Sequence, residues 1–477
     1  MRIFIVLLTL FACTGHTMAA PAIEHWQVGQ TRVYFIAAPN LPMIDIQIAF
    51  DAGGARDGVR PGLAAMANGM LAEGAEGMNA DAIAQAFDDV GARFSNGSEQ
   101  DMAWLKLRAL VKPELLNPAL ATFNRVLAKP NFPADAFERL RKQQQVTLAY
   151  EKQAPESVAS KAFYRMLYGE HPYAAPDGGT EESIQAMTLA ELQAFYRQYY
   201  VAANAVIAIV GALDRPAAEQ MAQSVIAGLP VGEAAPALAQ PQALPSQTQH
   251  IDHPSTQTHI WLGQLGYSRQ DPDYFTLYVG NHILGGNGLI SRIATEIREK
   301  RGLSYSAYSQ FMPMRVPGPF LAILQTANEQ ALAATQVLRD TLRQFIAQGP
   351  SEQELEEVKK NLTGGFPLKI DNNGKLLGYL AMIGFYGLPT DYLETWTTKV
   401  NAVTREQIQQ TFQKRLNVDN MMLLTVGRKP AMEAPPAMAG TQSSLWNSHN
   451  SHPRVLLPIQ TNDKASCPYC GVEYALK

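Results

Sequence analysis

The chain has 477 residues, 47% hydrophobic and 17% charged, enough for two or three compact units at roughly 150 residues each. That balance excludes a long disordered polymer. Lys+Arg of 39 against Asp+Glu of 43, a net charge of −4, lacks the basic excess of a nucleic-acid binder.

Residues 1–20 read as a secretory leader. Arg2 supplies the positive start, residues 3–12 the apolar stretch, and Met18-Ala-Ala the small residues before Pro21. An exported, periplasmic protein is expected. Leu10-Phe-Ala-Cys13 resembles a lipobox, which makes a lipid-anchored form the alternative. No other apolar run approaches the ~20 residues that span a bilayer. The three cysteines are Cys13, Cys467 and Cys470, so after leader removal only the C-terminal pair remains.

In chain order, Met43-Ile-Asp-Ile-Gln-Ile-Ala-Phe alternates apolar and polar residues and predicts a half-buried strand. Helices are expected over 62–75 and 134–152. Thr188 caps another helix, and residues 204–211 form an apolar strand ending in Val-Gly. A Pro- and Ala-rich linker covers 231–249. Beyond it, Thr258-His-Ile-Trp-Leu-Gly-Gln-Leu alternates again, with helices over 275–300 and 351–364. Thr404 caps a further helix, and residues 420–427 close on Val-Gly. The Thr-capped helix and the strand that follows recur without a gap at an offset of 216 residues. The chain is therefore a duplication of α+β type. Its halves, 27–230 and 250–430, each carry an antiparallel-type sheet with helices on one side. A second linker over 431–444 leads to a small Cys/His tail at 445–477.

Over residues 27–430 the sequence resembles the pitrilysin/insulinase family of metallopeptidases. The most specific stretch is Leu284-Gly-Gly-Asn-Gly-Leu-Ile-Ser-Arg-Ile-Ala-Thr-Glu-Ile-Arg-Glu-Lys-Arg-Gly-Leu-Ser-Tyr, with Gly364-Gly-Phe-Pro-Leu and Phe385-Tyr-Gly. The resemblance implies an inverted zinc motif, His-x-x-Glu-His, on the first helix of the first half. Two histidines four apart share one helical face, and the Glu between them activates the metal's water.

Here the matching helix reads Gly62-Leu-Ala-Ala-Met-Ala-Asn-Gly-Met-Leu. Ala65 and Gly69 stand at the two histidine positions and Asn68 at that of the Glu. The third ligand would fall near Val146 or Thr147, where no carboxylate stands; Glu138 and Glu151 are out of register. Neither Ala nor Gly can ligate a metal. Glu73 and Glu76 lie nearby, but without a His they do not make a catalytic zinc site. By contrast, Arg298 and Tyr305 match in type and spacing the family's pair that holds the substrate carbonyl and the developing oxyanion. Gly285-Gly-Asn-Gly lacks the Lys-Ser/Thr ending of a phosphate loop, and His171-Pro-Tyr173 reads as a structural loop.

In the tail, His449, His452, Cys467 and Cys470 have the spacing of a small zinc knuckle; an oxidised Cys467–Cys470 pair is the other reading. The resemblance as a whole implies the non-catalytic subunit of an exported heterodimeric zinc metalloendopeptidase. Zinc would reside on a homologous partner subunit, with a peptide as substrate and no nucleic acid or membrane span. The alternative is a degenerate peptide-binding or scaffold homologue without catalysis.

Overall fold

The computed structural model describes residues 21–429, together with the short strands Lys464–Ser466 and Glu473–Ala475. The leader (1–20), the linker 431–444 and the four tail residues His449, His452, Cys467 and Cys470 lie outside the described residues. The two tail strands pair antiparallel within a unit of their own, 431–477.

The first sheet is built from β1 (Glu24–Val28), β2 (Thr31–Ala37), β3 (Met43–Phe50), β4 (Arg93–Ser98), β5 (Ala103–Leu110) and β6 (Ala205–Gly211). The second comprises β7 (Thr248–Asp252), β8 (Gln257–Leu265), β9 (Ala307–Phe311), β10 (Pro319–Ala327) and β11 (Met422–Gly427). Their orders are β1-β2-β6-β3-β5-β4 and β7-β11-β8-β10-β9, the same topology twice with β1 added at one edge. Both sheets are mixed: β2 and β6 run parallel, as do β7 and β11, and the remaining pairs are antiparallel.

The helices that matter below are α1 (Leu63–Met70), α2 (Ala134–Glu151), α3 (Pro155–Tyr168) and α4 (Leu189–Tyr199) in the first half. In the second they are α5 (Tyr274–Asn281), α6 (Glu352–Gly365), α7 (Asn373–Tyr386) and α8 (Arg405–Arg415). The duplicated threonines act as expected. Thr188 and Thr404 each close a capping box, with Glu191 and Gln407 as the reciprocal partners.

Two expectations need correction. The stretch 275–300 is not one helix. It breaks after α5 into a π-helical turn at His282–Gly286, a loop, and a second π-helical turn at Thr295–Glu299. Gly285 lets the first of these turns lie against β9, where a Cβ would collide with the backbone N and Oγ of Ser309. Nor is β3 half-buried. All but its first residue are buried, including Asp45 and Gln47.

The reason lies in an exchange of helices. One face of the first sheet, with Phe35, Ile46 and Phe50, packs on helices of its own half. Its other face, with Tyr34, Ile36 and Val206, joins a core that includes Leu377, Leu380 and Ala381 of α7. Reciprocally, Phe163 of α3 packs against Trp261 of the second sheet, ring centres 5.8 Å apart. The approach of α7 is close enough that a Cβ on Gly384 would stand 2.7 Å from Tyr34 and Val206. Each half thus lends a helix to the other's sheet.

Candidate functional site

A cleft of about 1410 Å³ opens among these elements, with Arg298 and Tyr305 on its wall. Arg298 belongs to the second π-helical turn, and Tyr305 to the loop before β9. The guanidinium lies over the Tyr305 ring, 4.6 Å from its centre, and Tyr305 is 81% exposed.

The charge run around Arg298 sorts itself. Lys300 and Arg301 both bind Glu296, at 2.6 Å each, and hold its carboxyl below the usual range. Arg298 has no carboxylate within 4 Å among the described residues. Its segment is anchored further back by Arg292, which grips Glu354 at the start of α6 through two bonds of 2.6 and 2.7 Å. Burial raises Glu354, but the Arg292 bonds and the Ser351 backbone N–H win and bring it to about 2. The pair therefore offers a fixed base and a free guanidinium to whatever enters the cleft.

The zinc-motif positions are different. Asn68 is 2% exposed and fully engaged. Its Nδ2 donates to Tyr200 Oη at 3.0 Å, and its Oδ1 accepts from Asn96 Nδ2 at 3.0 Å. Asn68 is a structural tether from α1 to β4. Ala65 and Gly69, one turn before and one residue after it, are only part-buried, and Thr147 on α2 is exposed and bonded to Gln143 of its own helix. None of the three has a side chain that could hold zinc, so the residues present do not fit the metal the fold implies.

The second half repeats the tether. Asn281 at the end of α5 donates to Ser309 O at 3.0 Å and accepts from Ser309 Oγ at 2.7 Å. Strand register shows that the two are equivalent. Asn96 pairs with Leu105, then Ile48, then Ile207; Ser309 pairs with Ala322, then Leu262, then Leu423. Ile207 and Leu423 are separated by the repeat's own 216 residues. By this correspondence Ala65 and Gly69 match Tyr278 and His282, both of which line the cleft.

Sequence reasoning missed most of the remaining wall. From the first half come Glu99, Asp101 and Asp177, and from the second Arg269, Lys369 and Tyr386. Asp101 is 3% exposed and joins the halves, accepting from Tyr386 Oη at 2.9 Å, from the Arg315 backbone N at 2.8 Å, and from Tyr173 Oη. Burial and the Asp101 charge push the Tyr173 and Tyr386 hydroxyls up, so both stay protonated donors. The loop at His171 is structural, as expected from sequence, and carries Tyr173 to this junction. Burial, with repulsion from Glu99 and Asp101, pushes Asp177 up to about 6. The only signal in the sequence was Tyr274, Tyr278 and His282, spaced four apart on one helical face.

Comparison with known proteins fits this architecture. The Insulinase (Peptidase family M16) profile matches residues 32–181, and the Peptidase M16 inactive domain profile matches residues 186–362. The crystal structure of a peptidase M16 inactive domain from Pseudomonas fluorescens is 40% identical, with a TM-score of 0.84 over 86% of this chain and 100% of that one. The chain belongs to the M16 (insulinase/pitrilysin) family. Among curated M16 relatives, the Non-peptidase homolog YmxG of Helicobacter pylori is 24% identical over 90% of this chain and 99% of its own. The periplasmic protease PqqL of Escherichia coli shares the fold (TM-score 0.71, 15% identity), but the matched region is only 46% of that longer chain. No helix among the described residues is long and apolar enough to cross a membrane.

Proposed function

We propose that this M16 protein is a non-peptidase homologue that binds peptide in its cleft without cleaving it. The observation that carries the reading is the contrast between the zinc-motif positions and the cleft wall. Ala65, Gly69 and Thr147 offer no metal ligand, while Arg298 and Tyr305 remain free to hold a peptide carbonyl. Resemblance to a relative named as a non-peptidase over nearly its whole length supports it. The leader-like residues 1–20 support a reading in which it works outside the cytoplasm.

A second reading is favoured by one observation, the PqqL chain, which has room for another unit of this size beyond the matched part. On that reading this chain pairs with a zinc-bearing homologue and supplies Arg298 and Tyr305 across a shared chamber. Zinc would then reside on the partner.

The test uses purified chain from residue 21 onward, with and without a co-expressed homologue that carries His-x-x-Glu-His. Alone, it should bind labelled peptides and show no cleavage that a chelator stops; chelator-sensitive cleavage by the single chain would overturn the non-peptidase reading. In a complex, Arg298→Ala or Tyr305→Phe should slow turnover by ~10²–10³-fold, the usual cost of one oxyanion donor. Wild-type turnover in both would remove the second reading.

A further inference from the structure

The wall of the cleft that corresponds to the bare face of α1 has been rebuilt in the second half. In place of Ala65 and Gly69 stand Tyr278 and His282, with Tyr274 one turn earlier. Tyr274 and Tyr278 stack with ring centres 6.1 Å apart and planes 6° from parallel. A cation stands at each end of the stack. The Arg269 guanidinium is 5.9 Å from the Tyr274 ring centre and 5.3 Å from that of Tyr386. Lys369 Nζ is 5.8 Å from the Tyr278 ring centre and donates to Tyr278 Oη at 3.1 Å.

Neither cation is neutralised. Among the described residues no carboxylate lies within 4 Å of Arg269 or Lys369, and Arg269 Nε is buried without a hydrogen-bond partner. Its one side-chain bond, to Tyr274 Oη, is long at 3.4 Å. A guanidinium withdrawn from water normally finds an acceptor, because the desolvation cost is otherwise uncompensated. The aromatic faces offset part of that cost but offer no oxygen to the unpaired N–H. His282 adds no charge near neutrality, since burial and Lys369 hold it below its ordinary range against the Asn361 bond.

We infer that Arg269 and Lys369, with the hydroxyls of Tyr274 and Tyr278, form a carboxylate-binding subsite. It selects peptides that place an acidic side chain or a free C-terminus against this wall. The inference rests on the peptide-binding reading above and names its substrate class. A polyanion is disfavoured, because Glu99 and Asp177 on the same cleft would face its remaining charges. A single carboxylate avoids that repulsion and supplies the counter-charge that Arg269 and Lys369 lack. A planar guanidinium also suits a carboxylate geometrically, through paired N–H donors.

Four fluorescein-labelled decapeptides of one sequence test this by anisotropy with the full chain. They carry Glu or Gln at one position and end in a free acid or an amide. The Gln-amide peptide should bind about 10-fold or more weakly than its best carboxylate-bearing counterpart, as for loss of one charge-assisted bond. Whether the Glu or the free terminus restores affinity identifies the source of the carboxylate. Lys369→Gln and Arg269→Gln should each erase that advantage, bringing the carboxylate-bearing peptides down to the Gln-amide level. Because Arg269 also packs on Tyr274 and Tyr386, Lys369→Gln is the variant that leaves this packing in place. Equal binding of all four peptides, or a variant that weakens all four alike, overturns the subsite while peptide binding stands. Failure of every peptide to bind overturns both readings.

Discussion

The two halves share a topology and a tether, yet their first helices carry opposite chemistry at equivalent positions, and only the second lines the cleft. α1 presents Ala65 and Gly69, which do nothing but leave space; α5 presents Tyr278 and His282 beside two cations. The buried side of each helix is the same, an asparagine bonded to the edge strand. What was held constant is the attachment of the helix to the sheet, and what diverged is the surface it shows to a ligand. Asn68 makes the point most directly. Where active relatives are expected to need a carboxylate as base, this chain holds the neutral tether also found in its second half.

The largest test of this comparison sets one glycine against another. Gly285→Ala drives a Cβ into the backbone of β9 and should cost ~2–3 kcal/mol of unfolding free energy. Gly69→Ala, whose nearest new neighbour is Leu140 at 3.9 Å, should instead gain ~0.5–1 kcal/mol by helix propensity. Denaturant unfolding of both variants would decide; a destabilised Gly69→Ala would mean that the bare face of α1 is already covered.

A finer test removes the tethers singly. Asn68→Ala removes the donor to the Tyr200 hydroxyl and one of the two bonds of the Asn96 amide, which keeps the Asn68 carbonyl, and Asn281→Ala strands the Ser309 groups. Each should cost ~1–3 kcal/mol, and the two costs should agree to within about 1 kcal/mol. A large disparity in unfolding midpoints would break the equivalence drawn from strand register.

The smallest effect concerns the acidic wall. Asp177 takes up its proton at about 6, driven by burial and by Glu99 and Asp101, with Asp57 also nearby. Below that pH the wall loses a negative charge that an ordinary aspartate would keep down to about 3.8. Affinity for a lysine-bearing peptide should therefore fall a few-fold between about pH 7 and 5. Asp177→Asn should flatten that profile; an unchanged slope would assign the titration to another group.

Much of the scaffold was legible in the sequence. The strands at 43–50 and 258–265, the threonine caps and the gapless 216-residue repeat are local patterns, and local patterns are what side-chain periodicity records. Arg298 and Tyr305 were legible only through resemblance, since a charged run looks the same whether or not one member is left unpaired. Three things were not legible. Asp45 and Gln47 looked like the solvent face of β3, and only a helix from the far half makes them buried. The glycines at 285–288 were visible, but the break they allow depends on how closely β9 passes. Arg269 and Lys369 lie a hundred residues apart, and nothing short of the folded cleft brings both to one pair of stacked tyrosines.

The exchange of helices also sets a timetable for synthesis. Gly211 completes the last strand of the first sheet, but α7 begins only about 160 residues later. At ~5–20 residues per second, that is a delay on the order of 10–30 s. Throughout it, the sheet face with Tyr34, Ile36 and Val206 has no cover and stays adhesive to any apolar surface nearby. A nascent chain halted before residue 373 should accordingly occupy chaperones, whereas one released at its full length should not.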